Sequence, residues 1–174
     1  KALNVADKTT ALNEVLASNW QTLANEYCDT AGVNLLISHL YMMKKGGEEL
    51  EEPDGEKPLK IGNADLIYSD SIPIQIQYTA LGHLHRAHQI GEADRPVVYA
   101  GSPLCYSFSE AGQEKYTMLV EVEPNHPATY QKIPLTKGRP LTRKKCTSVD
   151  DAVAWLQQHP HHLVELTLVS DTFL

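Results

Sequence analysis

The sequence predicts an α/β fold, because a long helical segment runs into a short apolar segment and further strand-like segments follow. Residues 7–27 carry apolar side chains at helical spacing. Residues 33–38 (VNLLIS) form an apolar run between Gly32 and the polar pair Ser38-His39, which is typical of a buried strand. A helix next to a buried strand is the unit from which α/β layers are built.

The first helix is predicted from one apolar stripe, whose members are Leu12, Val15, Leu16, Trp20, Leu23 and Tyr27. Asp7 is the expected N-cap of this helix, and Gly32 ends the turn that follows it. Residues 44–60 are rich in acidic residues, glycine and proline. We expect them to form a solvated loop, because like charges this dense prefer water.

Strands are predicted in the middle of the chain. Residues 78–81 run into the motif GHLH, and residues 96–100 run into the motif GSPL. Residues 116–123 and 129–133 are predicted to form a hairpin, because prolines and an asparagine lie between them.

The composition changes near Pro134, where we place a domain boundary. Basic residues crowd residues 132–145 without an acidic neighbour. Ser148 is predicted to cap a helix with Asp151 at its third position, and a strand follows it. Since a single βαβ unit cannot bury its own faces well, we interpret residues 134–174 as the beginning of a second, truncated domain.

Composition and charge limit the classes of function. The net charge of -7 argues against a protein that binds nucleic acid through bulk charge, although a local basic patch is compatible with it. No apolar run approaches the ~20 residues of a membrane helix. The three cysteines form no CxxC pair, which argues against a zinc finger or a disulfide framework and fits a reducing cytoplasm. The sequence also lacks the phosphate-binding and serine-nucleophile motifs.

The motif GHLH contains His83 and His85, separated by one residue. Both imidazoles can then face one cavity, and imidazole suits zinc, manganese, iron and nickel. We expect Gly82 to let the backbone turn sharply beneath the metal. Ordinary surface histidines are the alternative, because HxH is common by chance.

A third histidine, His39, follows the first predicted strand. In open α/β sheets ligands bind beyond the carboxyl ends of the strands, and His83 also follows a strand. A lone histidine there would more often be structural. Taken together with GHLH, however, His39 favours a metal site.

The segment GSPLCYSFSEAGQEKY (residues 101–116) allows two interpretations. Its first turn can present Ser102 and backbone N–H groups to a phosphate. By residue type we favour a corner between strands, with core side chains from Leu104, Tyr106 and Phe108.

The order of these motifs resembles that of the SbcD-type DNA repair exonucleases, which are calcineurin-like metallophosphoesterases. The similar segments are NLLISHLYM, DLIYSDSIP, YTALGHLHRAHQI and VVYAGSPLCYSFSEAGQEKY. The resemblance covers residues 33–133 well and continues weakly beyond them. GHxH is shared by the whole superfamily, whereas GHLHR followed by YAGSPLxYSFSEAxxxK is specific to the SbcD branch.

The resemblance implies part of a two-layer αββα sandwich in residues 1–133, followed by the start of a small α+β DNA-capping domain in residues 134–174. It implies two Mn²⁺ ions, with His39 and His83 on one and His85 on the other. The paired metals would activate a hydroxide for exonuclease and endonuclease cleavage of DNA. The implied partners are DNA, an SMC-type ATPase of the SbcC kind and a second copy of the chain, in the cytoplasm and without a membrane.

The sequence departs from the family pattern in its metal ligands. The Asp-x-His motif, the bridging aspartate, the Asn-His pair of GNHD and the general-acid histidine are all absent. Imidazoles alone supply no negative charge to hold two dications together. We therefore expect a fragment that contains no complete catalytic set and is inactive alone.

The resemblance also implies DNA contacts that fix register without reading sequence. The candidate residues are Ser102, Lys137, Arg139, Arg143, Lys144 and Lys145. A solvated linker is the alternative for the basic stretch. Two other functions stay open: a phosphoesterase of nucleotides or phosphoproteins, which GSPLxYSFSEA opposes, and a non-catalytic scaffold that dimerises or docks an ATPase, which the missing carboxylates favour.

Overall fold

The computed structural model describes residues 5–47 and 66–169. Two helices lie in these ranges, α1 (Val5–Tyr27) and α2 (Val149–Gln158). The strands are β1 (Leu35–His39), β2 (Met42–Met43), β3 (Ile67–Tyr68), β4 (Tyr78–Gly82), β5 (His88–Gln89), β6 (Val97–Tyr99), β7 (Tyr116–Glu121), β8 (Thr129–Pro134), β9 (Leu141–Cys146) and β10 (Leu163–Leu168). Most of the acidic stretch predicted to be a loop lies outside the described residues.

The central sheet confirms the predicted α/β class. Its strand order is β1-β4-β6-β5, with β1, β4 and β6 parallel and β5 antiparallel to β6. The pairing register joins Leu35 to Tyr78 and His39 to Gly82, so β1 and β4 end side by side. The carboxyl ends of these two strands therefore form one edge of the sheet.

Helix α1 covers one face of the sheet. Leu12, Leu16 and Trp20 pack against the buried core, which consists of Met42, Ile67, Ile72, Ile76, Leu81, Ile90, Val97 and Tyr99. The predicted apolar stripe is too wide, since Val15, Leu23 and Tyr27 are exposed. The helix already runs at Val5, so Asp7 lies in its first turn and the prediction that it is the N-cap is wrong.

The predicted hairpin forms from β7 and β8, which pair antiparallel and cover the opposite face of the sheet. Met118, Val120 and Tyr130 of these strands pack against Tyr78 and Val98. The layers are therefore helix, sheet and hairpin, in agreement with part of the expected αββα sandwich.

Strand β1 differs from the prediction of a buried strand. It lies at the edge of the sheet, and its residues are alternately exposed and half-buried. Ile37 is 82% exposed and Leu35 is 49% exposed, while Leu36 packs towards the core below α1. As an edge strand β1 has a neighbour on one side only, and its face that carries Leu35 and Ile37 is uncovered in the described residues.

The last described part of the chain is a βαβ unit made of β9, α2 and β10, in which the two strands are parallel. Cys146 and Ala152 are buried in this unit. The predicted helix cap is confirmed, because the Ser148 hydroxyl accepts a hydrogen bond from the backbone N–H of Asp151 at 3.1 Å. The linker alternative is wrong for residues 141–146, since these residues form β9. Neither helix of the described residues has the length and apolar character needed to cross a membrane.

Candidate metal centre

His39 and His83 lie together at the carboxyl ends of β1 and β4. Their ring centroids are 5.4 Å apart and the rings meet nearly at right angles, with an interplanar angle of 84°. The ring of Tyr41 is a second neighbour of His83, with ring centroids 6.4 Å apart. The convergence of two histidines from neighbouring strands follows from the pairing of His39 with Gly82.

Gly82 makes this convergence possible, although by a different route from the one predicted. A β-carbon built on Gly82 would lie 2.7 Å from Nδ1 of His39, closer than carbon and nitrogen can approach. The left-handed backbone conformation belongs to His83, whose φ is 104°. A non-glycine residue with positive φ is strained, and such strain concentrates at functional sites. Gly82 therefore provides space for His39, and His83 itself makes the turn.

His85 has a different neighbourhood. Its Nδ1 lies 2.8 Å from Oε1 of Glu110, and its ring meets that of Tyr106 with centroids 5.7 Å apart. No group of three or more histidine, cysteine or acidic side chains within the described ranges could hold a metal ion. The structure therefore brings His39 and His83 together and pairs His85 with a carboxylate.

A buried polar network lies behind His85. Glu110 is fully buried, and its Oε2 receives a hydrogen bond from Nζ of Lys115 at 2.6 Å. The Lys115 ammonium also donates to the Ser102 hydroxyl at 2.9 Å. Burial acts to raise the pKa of Glu110, but the hydrogen bonds and charges of Lys115 and His85 together lower it below its usual value. The Glu110 carboxylate is thereby held in its ionised form.

In residues 101–116 the buried and exposed side chains are the opposite of those that residue type predicts. Leu104 and Tyr106, expected in the core, are 46% and 62% exposed, whereas Ser102, Glu110 and Lys115 are buried. Neither Glu110 nor Lys115 was predicted as a site residue. The motif SFSEAGQEK could have indicated both residues, because it places an acidic and a basic side chain in one short segment after GHLH.

Ser102 is the nucleic-acid candidate that the structure does not favour. It is only 6% exposed, and its backbone N–H donates to the carbonyl of His85 at 3.1 Å. Its hydroxyl donates to the carbonyl of Leu104 at 2.8 Å and accepts from Lys115. Both donors of Ser102 are therefore used inside the protein, so its contact with a phosphate stays a prediction that this geometry opposes.

The five basic candidates lie on or beside the βαβ unit. Arg139 donates to the backbone carbonyls of His161 and His162, and Arg143 forms an ion pair with Glu165 at 2.7 Å. Nζ of Lys144 lies 5.7 Å from the centre of the Trp155 ring. Lys137 and Lys145 are exposed.

The residues present fit part of a metal site. Two imidazoles meet at a sheet edge where the missing β-carbon of Gly82 leaves space, and imidazole nitrogens are good ligands for manganese, zinc and iron. Among the described residues, no third histidine, cysteine or acidic side chain joins this pair in a cluster that could hold a metal ion. The negative charge that two dications require would have to come from elsewhere.

Comparison with known proteins supports the resemblance seen in the motifs. No family model matches the chain. The SbcD subunit of the SbcCD nuclease of Bacillus subtilis (strain 168) is 38% identical to it over 130 residues, which is 74% of this chain and 32% of the relative. The chain thus spans about a third of the length of that relative. It belongs to the SbcD-type nuclease family, a family of metallophosphoesterases.

Proposed function

We propose that this chain is part of a metal-dependent nuclease that hydrolyses phosphodiester bonds of DNA in recombination and repair. The observation that carries the proposal is the convergence of His39 and His83 at the end of two parallel strands, in a chain of the SbcD-type family. In this proposal His39 and His83 bind one Mn²⁺ ion, and His85 binds a second.

When bound, the two ions would supply an activated hydroxide and stabilise the charge on the phosphate during displacement. The role of this chain is to orient the ligands. The register of β1 and β4 sets the spacing of His39 and His83, and the positive φ of His83 makes the turn of the backbone at the end of β4.

The carboxylates of the site are proposed to lie outside this chain, so the chain alone is expected to be inactive. This agrees with its match to about a third of the relative's length. We propose residues 1–133 as the C-terminal portion of the nuclease domain and residues 134–174 as the start of a capping domain. The proposed partners are DNA, an SbcC-like SMC-type ATPase and a second copy of the chain, all in the cytoplasm.

A non-catalytic role is the second candidate for the chain in isolation. The observation in its favour is that the described residues contain no complete cluster of metal ligands. In this case the chain would dimerise or dock an ATPase, and its histidines would have no affinity for a divalent cation.

An Mn²⁺ titration followed by NMR distinguishes the two roles, because paramagnetic broadening detects even weak binding. We expect the ring signals of His39 and His83 to broaden first, and His83→Ala to abolish the broadening of His39. His126, in the turn of the β7–β8 hairpin, provides the control signal within the same spectra. Equal broadening of His126 and His39 would refute the metal site and favour the non-catalytic role.

Inactivity needs its own assay. We expect the purified chain to release no nucleotides from DNA in the presence of Mn²⁺. Release that disappears in the His83→Ala variant would show that the chain holds a complete active site, in contradiction to the proposal.

A further inference from the structure

A buried carboxylate lies directly behind His85. Oε1 of Glu110 is 2.8 Å from Nδ1 of the imidazole, and the Glu110 side chain has no access to solvent. An ionised carboxylate accepts hydrogen bonds but donates none. Nδ1 of His85 must therefore carry the proton of this hydrogen bond.

The direction of the carboxylate is fixed by its second oxygen. Oε2 of Glu110 accepts from Nζ of Lys115 at 2.6 Å, and that ammonium also donates to the Ser102 hydroxyl and the Gln113 side chain at 2.9 Å and 3.1 Å. It reaches the backbone carbonyl of His85 at 3.1 Å as well. The same cation thus contacts both the carboxylate and the backbone of the histidine that the carboxylate orients.

From this geometry we propose that Glu110 is a positioning residue, which holds His85 in the tautomer that binds metal through Nε2. The inference rests on the proposed function, since it concerns the same metal site. With the proton on Nδ1, the lone pair is on Nε2, and a carboxylate behind a ligating histidine both orients the ring and raises its basicity.

The pattern of burial supports a positioning role beyond simple stabilisation. A buried ion pair is poor evidence for stability, because apolar residues of similar volume often replace it at no cost. In this segment apolar side chains are available, yet Leu104 and Tyr106 are largely exposed while Glu110 and Lys115 are buried. If the charged pair served only to fill space, apolar side chains would be expected in its place. Its burial therefore favours a further role.

The tautomer of His85 is the direct test. Long-range proton–nitrogen NMR spectra of the labelled chain, recorded where His85 is neutral, should show a protonated Nδ1 and an unprotonated Nε2. Glu110→Gln should remove the preference for this tautomer. Glu92→Gln is the matched control, because Glu92 forms an exposed ion pair with Lys44. A protonated Nε2 in the unsubstituted chain, or an unchanged tautomer in Glu110→Gln, would overturn the inference.

Metal affinity is the second test, with Mn²⁺ alone as the probe. Glu110→Gln should raise the Mn²⁺ concentration needed to broaden His85 by about tenfold or more, in line with the loss of a carboxylate behind a ligating histidine. The comparison is made in the His39→Ala, His83→Ala background, because Mn²⁺ held by those two side chains would itself broaden the neighbouring His85 signals. If Glu110→Gln does not change the Mn²⁺ concentration at which His85 broadens, this inference alone is overturned. If none of the three histidines of the unsubstituted chain broadens specifically, the proposed function is overturned together with it.

A third variant covers the case in which Glu110→Gln does not fold, since that change leaves the Lys115 ammonium buried without its counter-ion. Glu110→Leu combined with Lys115→Met removes both charges and also the acceptor opposite Nδ1 of His85, and such an apolar replacement of a buried pair should fold. His85 should lose the protonated Nδ1 in this double variant too. A folded double variant in which His85 keeps that tautomer would show that Glu110 does not set it.

Discussion

The imidazole of His39 lies against the bare α-carbon of Gly82, the residue that it faces across two parallel strands. A β-carbon on Gly82 would be 2.7 Å from Nδ1 of His39, so this contact exists only because residue 82 is glycine. Such a β-carbon would displace the ring of His39, which would then lose its edge-to-face contact with the ring of His83. One missing methyl group therefore sets the geometry of the histidine pair.

Gly82→Ala should consequently separate the two rings at a small cost in stability. His39 is exposed and can rotate away, so we expect the free energy of unfolding to fall by only about 1 kcal/mol, at the low end of overpacking costs. The contact between the His39 and His83 rings, read from nuclear Overhauser effects, should disappear. Affinity for Mn²⁺ should fall with it.

Gly32→Ala is the control for this change. The nearest atom to a β-carbon at Gly32 is Oδ1 of Asp29 at 3.5 Å, an ordinary contact. It should leave the histidine pair intact. If Gly82→Ala also leaves the ring contact intact, the role given to Gly82 is wrong.

The convergence of His39 and His83 was predictable because it depends on a general rule of sheet topology. His39 ends β1 and His83 directly follows β4, and the carboxyl ends of parallel strands meet at one edge. The cap of α2 was predictable for a similar reason, since Ser148 and Asp151 are three residues apart and their hydrogen bond is local. Helix capping and the alignment of parallel strands can be predicted without knowing which residues are buried.

The Glu110–Lys115 pair was not predictable in this way. The role of the pair depends on its burial, and its burial depends on how the segment folds back beneath His85. A charged residue in a turn is usually solvated, so the sequence favoured the apolar side chains as core. Strand β9 was missed for the same reason, because exposed charges such as Arg143 and Lys145 alternate along it and resemble those of a linker.

The Lys115→Met variant should be strongly destabilised. It leaves the carboxylate of Glu110, which is fully buried, without its cation, and the loss of one partner of a buried pair costs about 3–5 kcal/mol. Chemical denaturation monitored by circular dichroism measures this cost. Adding Glu110→Gln to Lys115→Met should restore most of the lost stability, since no unpaired charge is left.

Lys44→Met breaks an exposed ion pair with Glu92 and is the matched control. We expect it to cost less than about 1 kcal/mol. Similar costs for Lys115→Met and Lys44→Met would mean that the buried pair is solvated in the protein.

In the proposed contact with DNA, the basic residues should contribute unequally. Lys137 and Lys145 are exposed, whereas Arg143 is engaged with Glu165 and Lys144 lies over Trp155. Each phosphate contact adds about 0.9 to the slope of log affinity against log salt. Lys137→Gln with Lys145→Gln should therefore lower that slope by about two, as measured by fluorescence anisotropy with duplex DNA.

Lys144→Gln tests the specificity of this assignment. It removes one charge from β9, the strand that also carries Lys145, and should change the slope by less than one. A slope that responds to Lys144→Gln as strongly as to the double variant would indicate that bulk charge, and not the exposed pair, binds DNA.

Tyr99 should contribute to a fall in the stability of the chain in alkaline solution. This side chain is fully buried, and its hydroxyl accepts from the N–H of Met42 at 2.7 Å and donates to the carbonyl of Leu40 at 2.8 Å. Burial raises the pKa of Tyr99 to about 12. Above pH 10 the unfolded chain releases this proton while the folded chain retains it, so stability is complete below pH 10 and is lost as the pH rises towards 12.

Each pH unit between the two pKa values of Tyr99 is worth about 1.4 kcal/mol, which gives a loss of up to about 3 kcal/mol. Thermal unfolding between pH 9 and pH 12 should show this decline together with that of Tyr78, whose pKa burial also raises to about 12. Tyr99→Phe should therefore reduce the decline without abolishing it, while lowering stability at pH 9 through the unpaired Met42 N–H. Tyr106→Phe, at an exposed position, should leave the decline as it is. An equal decline in Tyr99→Phe would mean that other groups cause the alkaline instability.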